Sequence, residues 1–402
     1  MGLFVGLALL GVVAGAMPLH AAENPSVEHG RYLAKAGDCA ACHTAEGGKP
    51  YAGGRAIGTP FGKVYTTNIT PDRETGIGDW SQDDFYRAMH SGIRRDGQHL
   101  YPAFPYPWFT KVTPADVNDI KAYLDTIAPV HQQDKPPEIL FQRRVMGLWN
   151  KLFFVEGTHV DDPNRSAAWN RGAYLVGGLG HCAGCHTDKN FAGAPKKNKH
   201  LQGGPAENAF APSLAGGLRA GLGAWSVAGI AEYLKTGSNE KTAAAGPMAE
   251  IVTASTQYLT DADLNAIAVY LKDLPPVEPE SSHQDADTER MQRGAAVYAD
   301  NCNGCHMDGG GLASVFPALK DSSAVQATKA DTLVGVLLRG DAVPATQSKP
   351  TGLKMPAFAD KLDDAQIADV VSYIRNAWGN KASLVSASDV AKIRKVLKEG
   401  SQ

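Results

Sequence analysis

Cys182-Ala-Gly-Cys185-His186 places two thiols two residues apart and an imidazole directly after the second. This is the pattern of covalent c-type haem attachment, in which the thiols reach the two vinyl groups of one porphyrin and the histidine is held under the iron as its proximal ligand. The pattern recurs as Cys39-Ala-Ala-Cys42-His43 and as Cys302-Asn-Gly-Cys305-His306, so all 6 cysteines are consumed and none is left for a disulfide. One such motif is also half a zinc site or a redox dithiol. Zinc, however, needs a second pair of ligands nearby, and a thioredoxin-like dithiol needs a βαβ setting. Three copies with no spare cysteine favour three covalently bound haem c groups, attached at Cys39, Cys42, Cys182, Cys185, Cys302 and Cys305 and ligated by His43, His186 and His306.

A haem that only carries electrons has both axial positions filled, and methionine or histidine opposite the proximal imidazole sets its potential. Each repeat therefore needs a sixth ligand. In the third, Lys354-Met355-Pro356-Ala357-Phe358 presents a methionine fixed by the following proline, and Gly246-Pro247-Met248 occupies the corresponding place in the second. Met355 and Met248 are the predicted ligands, against the plainer alternative of core methionines. The first repeat departs, because Tyr101-Pro-Ala-Phe104-Pro-Tyr-Pro107 has a phenylalanine where a lone pair is needed. Nearby stand Met89, His90 and His99. Met89 follows Phe85 by four residues and is expected to face the core, His99 reads as a solvated loop residue, and His90 is taken as the ligand. Each proximal imidazole is also expected to donate its other nitrogen to a backbone carbonyl, with Pro212 and Pro317 as acceptors.

Recurrent elements must position these residues. A leading helix carries a glycine and an aromatic ahead of each motif: Gly30 and Tyr32, Gly172 and Tyr174, Gly294 and Tyr298. The glycine would let a second helix approach closely. A closing helix matches in type and spacing at 113–124, 260–271 and 363–374, with Thr113, Thr260 and Asp363 as N-caps. Its apolar face pairs Ile120, Ile267 and Val370 with Leu124, Leu271 and Ile374. Between these, Ser81, Ser226 and Asp331 read as caps of middle helices that end at Gly92, Gly237 and Gly340. The expected fold class is all-α, three tandem helical domains, each with its own core around one haem.

The 402 residues allow several domains, and proline-rich composition shifts mark linkers between them. Domains are expected at 23–135, 161–276 and 289–380, joined by a helical linker at 136–160 and a second linker at 277–288, with a helix and tail at 381–402. In the first linker, 141–154 reads as an amphipathic helix with Val145, Leu148, Trp149, Leu152 and Phe153 on one side. Burial between haem domains is the expectation there, a subunit or membrane contact the alternative. In the tail, Val390, Ile393 and Leu397 share a face among basic residues, fit for an anionic membrane surface or for docking on the third domain. The uncharged apolar run 3–17 is short for a membrane span and suits a secretory signal peptide at 1–22, with an uncleaved anchor as the alternative. Scattered Lys and Arg form no basic stripe, which argues against nucleic acid as a partner.

With these motifs and loops in view, the chain resembles the trihaem cytochrome c subunit of bacterial membrane-bound dehydrogenases. Thr67-Asn68-Ile69-Thr70-Pro71-Asp72, Gly76-Ile77-Gly78, Leu100-Tyr101-Pro102-Ala103 and Trp378-Gly379-Asn380 carry the resemblance, over 27–380. It implies three cytochrome c-like domains on the periplasmic side of the cytoplasmic membrane. Electrons would come from a catalytic dehydrogenase subunit holding flavin, pyrroloquinoline quinone (PQQ) or a molybdenum cofactor, and would leave to ubiquinone or another respiratory acceptor. The partner would oxidise an alcohol, aldehyde, sugar acid or N-heterocycle. The alcohol dehydrogenase branch has methionine at the position of Phe104, so this chain looks more like the aldehyde and N-heterocycle branch. No flavin or nicotinamide fingerprint is legible, so dehydrogenation is not assigned to the chain itself. The competing reading is a peroxidase-like or reductase-like multihaem enzyme whose first haem has an open position.

Overall fold

A computed structural model describes Gly2 and residues 24–277, 287–311 and 316–399. The predicted signal peptide, apart from Gly2, and most of the linker at 277–288 lie outside the described residues. Leading and closing helices pack in pairs: Pro25–Ala36 on Pro114–Leu124, Ala167–Gly177 on Asp261–Lys272, and Thr288–Asn301 on Asp364–Ile374. Each pairing depends on its glycine. A Cβ added at Gly30 would lie 1.8 Å from the Asp119 carbonyl oxygen, at Gly172 2.0 Å from that of Ala266, and at Gly294 2.4 Å from that of Asp369. Backbone meets backbone at all three crossings, and any side chain would push the helices apart.

The caps hold the closing helices in register. The Thr113 and Thr260 hydroxyls accept the N–H groups of Asp116 and Asp263, each at 3.2 Å, and Asp363 forms a reciprocal capping box with Gln366. Ser81 and Ser226 cap the middle helices Gln82–Ser91 and Val227–Thr236, which end on Gly92 and Gly237 in the left-handed conformation. The third middle helix, Asp331–Arg339, differs from expectation. Ala330 holds its N-cap position, and Asp331 is the first helical residue, where its charge favours the positive end of the helix dipole.

The interior is not threefold. One apolar cluster runs through the first two repeats, joining Leu33, Ile120 and Val112 to Leu175, Leu179 and Leu264, whereas the third repeat has its own cluster around Val334, Ile367 and Val371. The loops form small antiparallel ladders that the all-α expectation does not include. Ala56–Thr59 pairs with Gly62–Tyr65, which takes on Glu138–Ile139 from the linker; Gly204–Ala206 pairs with Ala209–Ala211, and Asp341–Ala342 with Lys354–Met355.

The linker helix Met146–Phe153 splits the apolar face read from the sequence. Met146, Trp149 and Phe153, at i, i+3 and i+7, turn inward, and the Trp149 indole donates to the Ala192 carbonyl at 2.9 Å. Leu148 and Leu152 turn outward, 60% and 64% exposed. The C-terminal helix Ala387–Glu399 spends its apolar face on the third core, with Val390 and Leu397 buried and Arg394 bonded to Asp364 at 2.8 Å. Of its two alternatives, docking holds. Among the described residues no helix is long and apolar enough to cross a membrane.

Candidate haem sites

Each motif folds as a single helical turn: Cys39–Cys42, Ala183–His186 and Asn303–His306. Ahead of the first cysteine, Asp38 and His181 adopt positive φ, which turns the chain sharply out of the leading helix. The three imidazoles are then fixed in the same way. His43 Nδ1 lies 2.7 Å from the Thr67 carbonyl, His186 Nδ1 2.7 Å from that of Pro212, and His306 Nδ1 3.0 Å from that of Pro317. A carbonyl can only accept, so Nδ1 carries the proton and the Nε2 lone pair is free for a metal. Pro212 and Pro317 are the acceptors expected from the sequence. Thr67 is the one that sequence reasoning does not single out, although it follows its histidine by 24 residues, close to the 26 between His186 and Pro212.

Burial pushes all three imidazoles below their ordinary range, with the carbonyl bonds working the other way, so the neutral ring is favoured. Burial likewise pushes the Cys39, Cys42 and Cys182 thiols up to about 12 and Cys302 to about 11. Such thiols are poor thiolates, which does not suit a redox dithiol. Among the described residues the only cluster of three side chains able to share one ion is His29, Asp116 and Asp119, which contains no cysteine.

The third site shows the fit to a haem most directly. A cavity there is lined by Cys302, Cys305, His306 and Met355, with Phe316 and Phe358 among its apolar walls. A concave, mostly apolar space with a few convergent polar groups is the usual form of a cofactor pocket. Two thiols, an imidazole nitrogen free of hydrogen bonding and a thioether thus meet around one such space. In the second repeat Met248 is half-buried in the first turn of the helix Pro247–Ala254, behind Pro247.

The first repeat is arranged differently. Met89 is buried at 4% exposure in the cluster against which Cys39, Ala40 and Phe104 also pack. His90 is occupied elsewhere: its ring stacks on Tyr86 at 4.8 Å, Nε2 lies 3.5 Å from a Glu156 carboxylate oxygen, and Nδ1 lies 3.5 Å from the Thr110 hydroxyl. His99 is not a free loop residue, because it packs against the linker helix at Gly147 and Asn150. Phe104 stacks edge-on with Phe109, whose ring meets His181, the neighbour of Cys182, at 5.5 Å.

The cytochrome c family matches residues 27–128, 170–275 and 291–378, and the chain belongs to that family. Within it, the similarity is to cytochrome c subunits of bacterial dehydrogenases. The chain is 40% identical to the alcohol dehydrogenase (quinone) cytochrome c subunit of Gluconobacter oxydans, over 98% of this chain and 87% of that one. It is 39% identical to the gluconate 2-dehydrogenase cytochrome c subunit of Pantoea cypripedii, over 93% and 90%. It is 42% identical to a nicotinate dehydrogenase subunit of Pseudomonas putida, over 94% of this chain and 34% of that one. These identities are too alike to single out the N-heterocycle branch that Phe104 suggested.

Proposed function

We propose that the chain is the electron-transfer subunit of a dehydrogenase complex on the periplasmic side of the bacterial cytoplasmic membrane, built as three tandem cytochrome c domains with three haem c groups. The observation that carries this reading is the threefold Cys-x-x-Cys-His turn with its imidazole tied to a carbonyl, set in a chain about as similar to several dehydrogenase cytochrome subunits along nearly its whole length. Haem c supplies one-electron exchange between ferric and ferrous iron. The protein would tether it through six cysteines, hold it with His43, His186 and His306, and offer Met248 and Met355 as thioethers, which favour the ferrous state.

For the first site the packing of Cys39 and Ala40 against the cluster that holds Met89 supports Met89 as sixth ligand ahead of His90, which would have to leave Glu156 and Thr110 to serve. Electrons would come from a catalytic subunit with a flavin, PQQ or molybdenum cofactor and pass to ubiquinone or another respiratory acceptor. Leu140, Phe141, Leu148, Leu152 and Val155 are exposed on a linker segment that carries Arg143, Arg144 and Lys151 and no acidic residue from 139 to 155. That composition supports contact with an anionic membrane surface.

Gentle solubilisation of the native membrane complex tests the proposal. A catalytic dehydrogenase subunit should co-purify, and its substrate should reduce the haem absorbance of this chain. A chain that purifies alone and whose haem answers no dehydrogenase would overturn it. The enzyme reading draws on Phe104 and predicts rapid cyanide binding at the first site, whereas a six-coordinate iron resists.

A further inference from the structure

The segment 243–250 lies between the middle and closing helices of the second repeat, yet it touches all three repeats. Ala243, Ala244 and Ala245 form part of the wall of the cavity lined by His306 and Met355. The Gly246 N–H donates to Asp341 Oδ2 at 2.8 Å, and Asp341 is the strand partner of Met355. Met248 comes two residues later. Two residues beyond that, Glu250 receives both arms of the Arg55 guanidinium, Nη2 reaching Oε2 at 2.8 Å and Nη1 bonding Oε1. The same Nη1 donates to the Ala41 carbonyl at 2.8 Å, inside the first Cys-x-x-Cys-His turn.

Met248 is thus bracketed by an anchor from the third repeat before it and an anchor from the first repeat after it. Local structure gives it little support. Gly246 has φ 56° and ψ −135° and no side chain with which to cap the helix, and the helix spans only 8 residues. A thioether is a weak ligand whose bond depends on the loop presenting it. Bidentate and charge-assisted bonds are the directional kind that can fix such a loop.

Resting on the reading of Met248 and Met355 as axial ligands, we infer that Asp341 and the Arg55–Glu250 fork are positioning devices for the Met248 thioether, so that the potential of the second haem is set by the two neighbouring repeats. The distal loops of the second and third sites are one hydrogen-bonded unit, joined where Gly246 meets Asp341. The first attachment turn is joined to the same helix through Arg55.

The test uses the full-length, three-haem protein and reads the far-red sulfur-to-iron band of the ferric state with a redox titration, the second-haem component being the one lost in Met248→Ala. Asp341→Ala is expected to weaken the band and lower the second-haem potential, and Asp341→Asn, which keeps an acceptor oxygen, to restore both. Glu250→Ala should lower the second-haem potential and leave the third unchanged. If Glu250→Ala does not fold, Glu250→Gln should shift the same component by less. A wild-type band and second-haem potential in both the Asp341→Ala and Glu250 variants would overturn the inference. A wild-type band in Met248→Ala would instead remove the ligand reading beneath it.

Discussion

Asp38 stands one residue before Cys39 in the left-handed region, buried, with Oδ1 lacking a hydrogen-bond partner. Burial and repulsion from Glu250 push its carboxyl up to about 7, against the opposing pull of Arg55 and Lys35. The folded state therefore holds this proton more tightly than the unfolded chain, whose Asp titrates near 4. Its contribution is fully present below about pH 4 and is lost as pH rises through about 7. Asp38→Asn keeps a residue that tolerates positive φ and removes the titration. Denaturant unfolding across a pH series should show a stabilisation of a few kcal/mol at most above pH 7, vanishing in acid. At the proposed haem ligands, Met248→Ala and Met355→Ala should each lower one potential in a redox titration. Low-temperature paramagnetic resonance should change on Met89→Ala and stay as wild type on His90→Ala. The proposed attachment residues are legible in the sequence because the motif fixes their spacing, and two of the three carbonyl acceptors because each is a proline in a short loop segment; their distances from the histidine differ, 11 residues for Pro317 and 26 for Pro212. The neighbour of His90 is not legible, because Glu156, 3.5 Å from its Nε2, comes from the linker, and no local pattern announces a partner so far along the chain.

The helix crossings make a sharper test of packing than any single apolar residue. Gly172→Ala would drive a methyl group into the Ala266 carbonyl, and overpacking of that kind costs about 1–3 kcal/mol or more. Its melting temperature should fall clearly below that of an Ala substitution at Gly177, where nothing lies within 4 Å of the added Cβ. On the linker helix, Leu148→Asp with Leu152→Asp should abolish co-sedimentation with vesicles containing anionic lipid and leave the haem spectra unchanged. Periodicity locates the closing helices and their caps well, since Thr113, Thr260 and Asp363 each recur at one spacing. It cannot say which side of the linker helix faces protein: Leu148 and Trp149 are adjacent in sequence, and what distinguishes them is tertiary, the Ala192 carbonyl that takes the indole N–H and the Tyr106 ring against which the indole packs.

The apolar interior divides two and one, although hydrogen bonds such as those of Gly246 to Asp341 and Phe210 to Thr332 also tie the second repeat to the third. Besides the common apolar cluster, Tyr32 donates to Asp263 at 2.6 Å, the Thr113 N–H donates to the Tyr174 hydroxyl at 3.2 Å, and that hydroxyl bonds Asp116. The first two repeats should therefore unfold in one transition and the third in another, and scanning calorimetry of the holoprotein that resolved three would contradict this. Three matching motifs suggest three equal units when read along the sequence, because a repeat reports its own elements and says nothing of the interface between copies. The shared core also constrains how the protein is made. Cys39 and Cys182 pack against one apolar cluster, so their thiols are withdrawn once that cluster closes. With haems at both motifs as proposed, attachment at both would have to precede consolidation of the first two repeats, and a failure at either motif would leave the pair open together. Cys302 is buried in a separate cluster, so for the same reason a haem there would have to be attached before the third repeat closes but independently of the other two, and arrested maturation should yield chains that lack both early haems or neither.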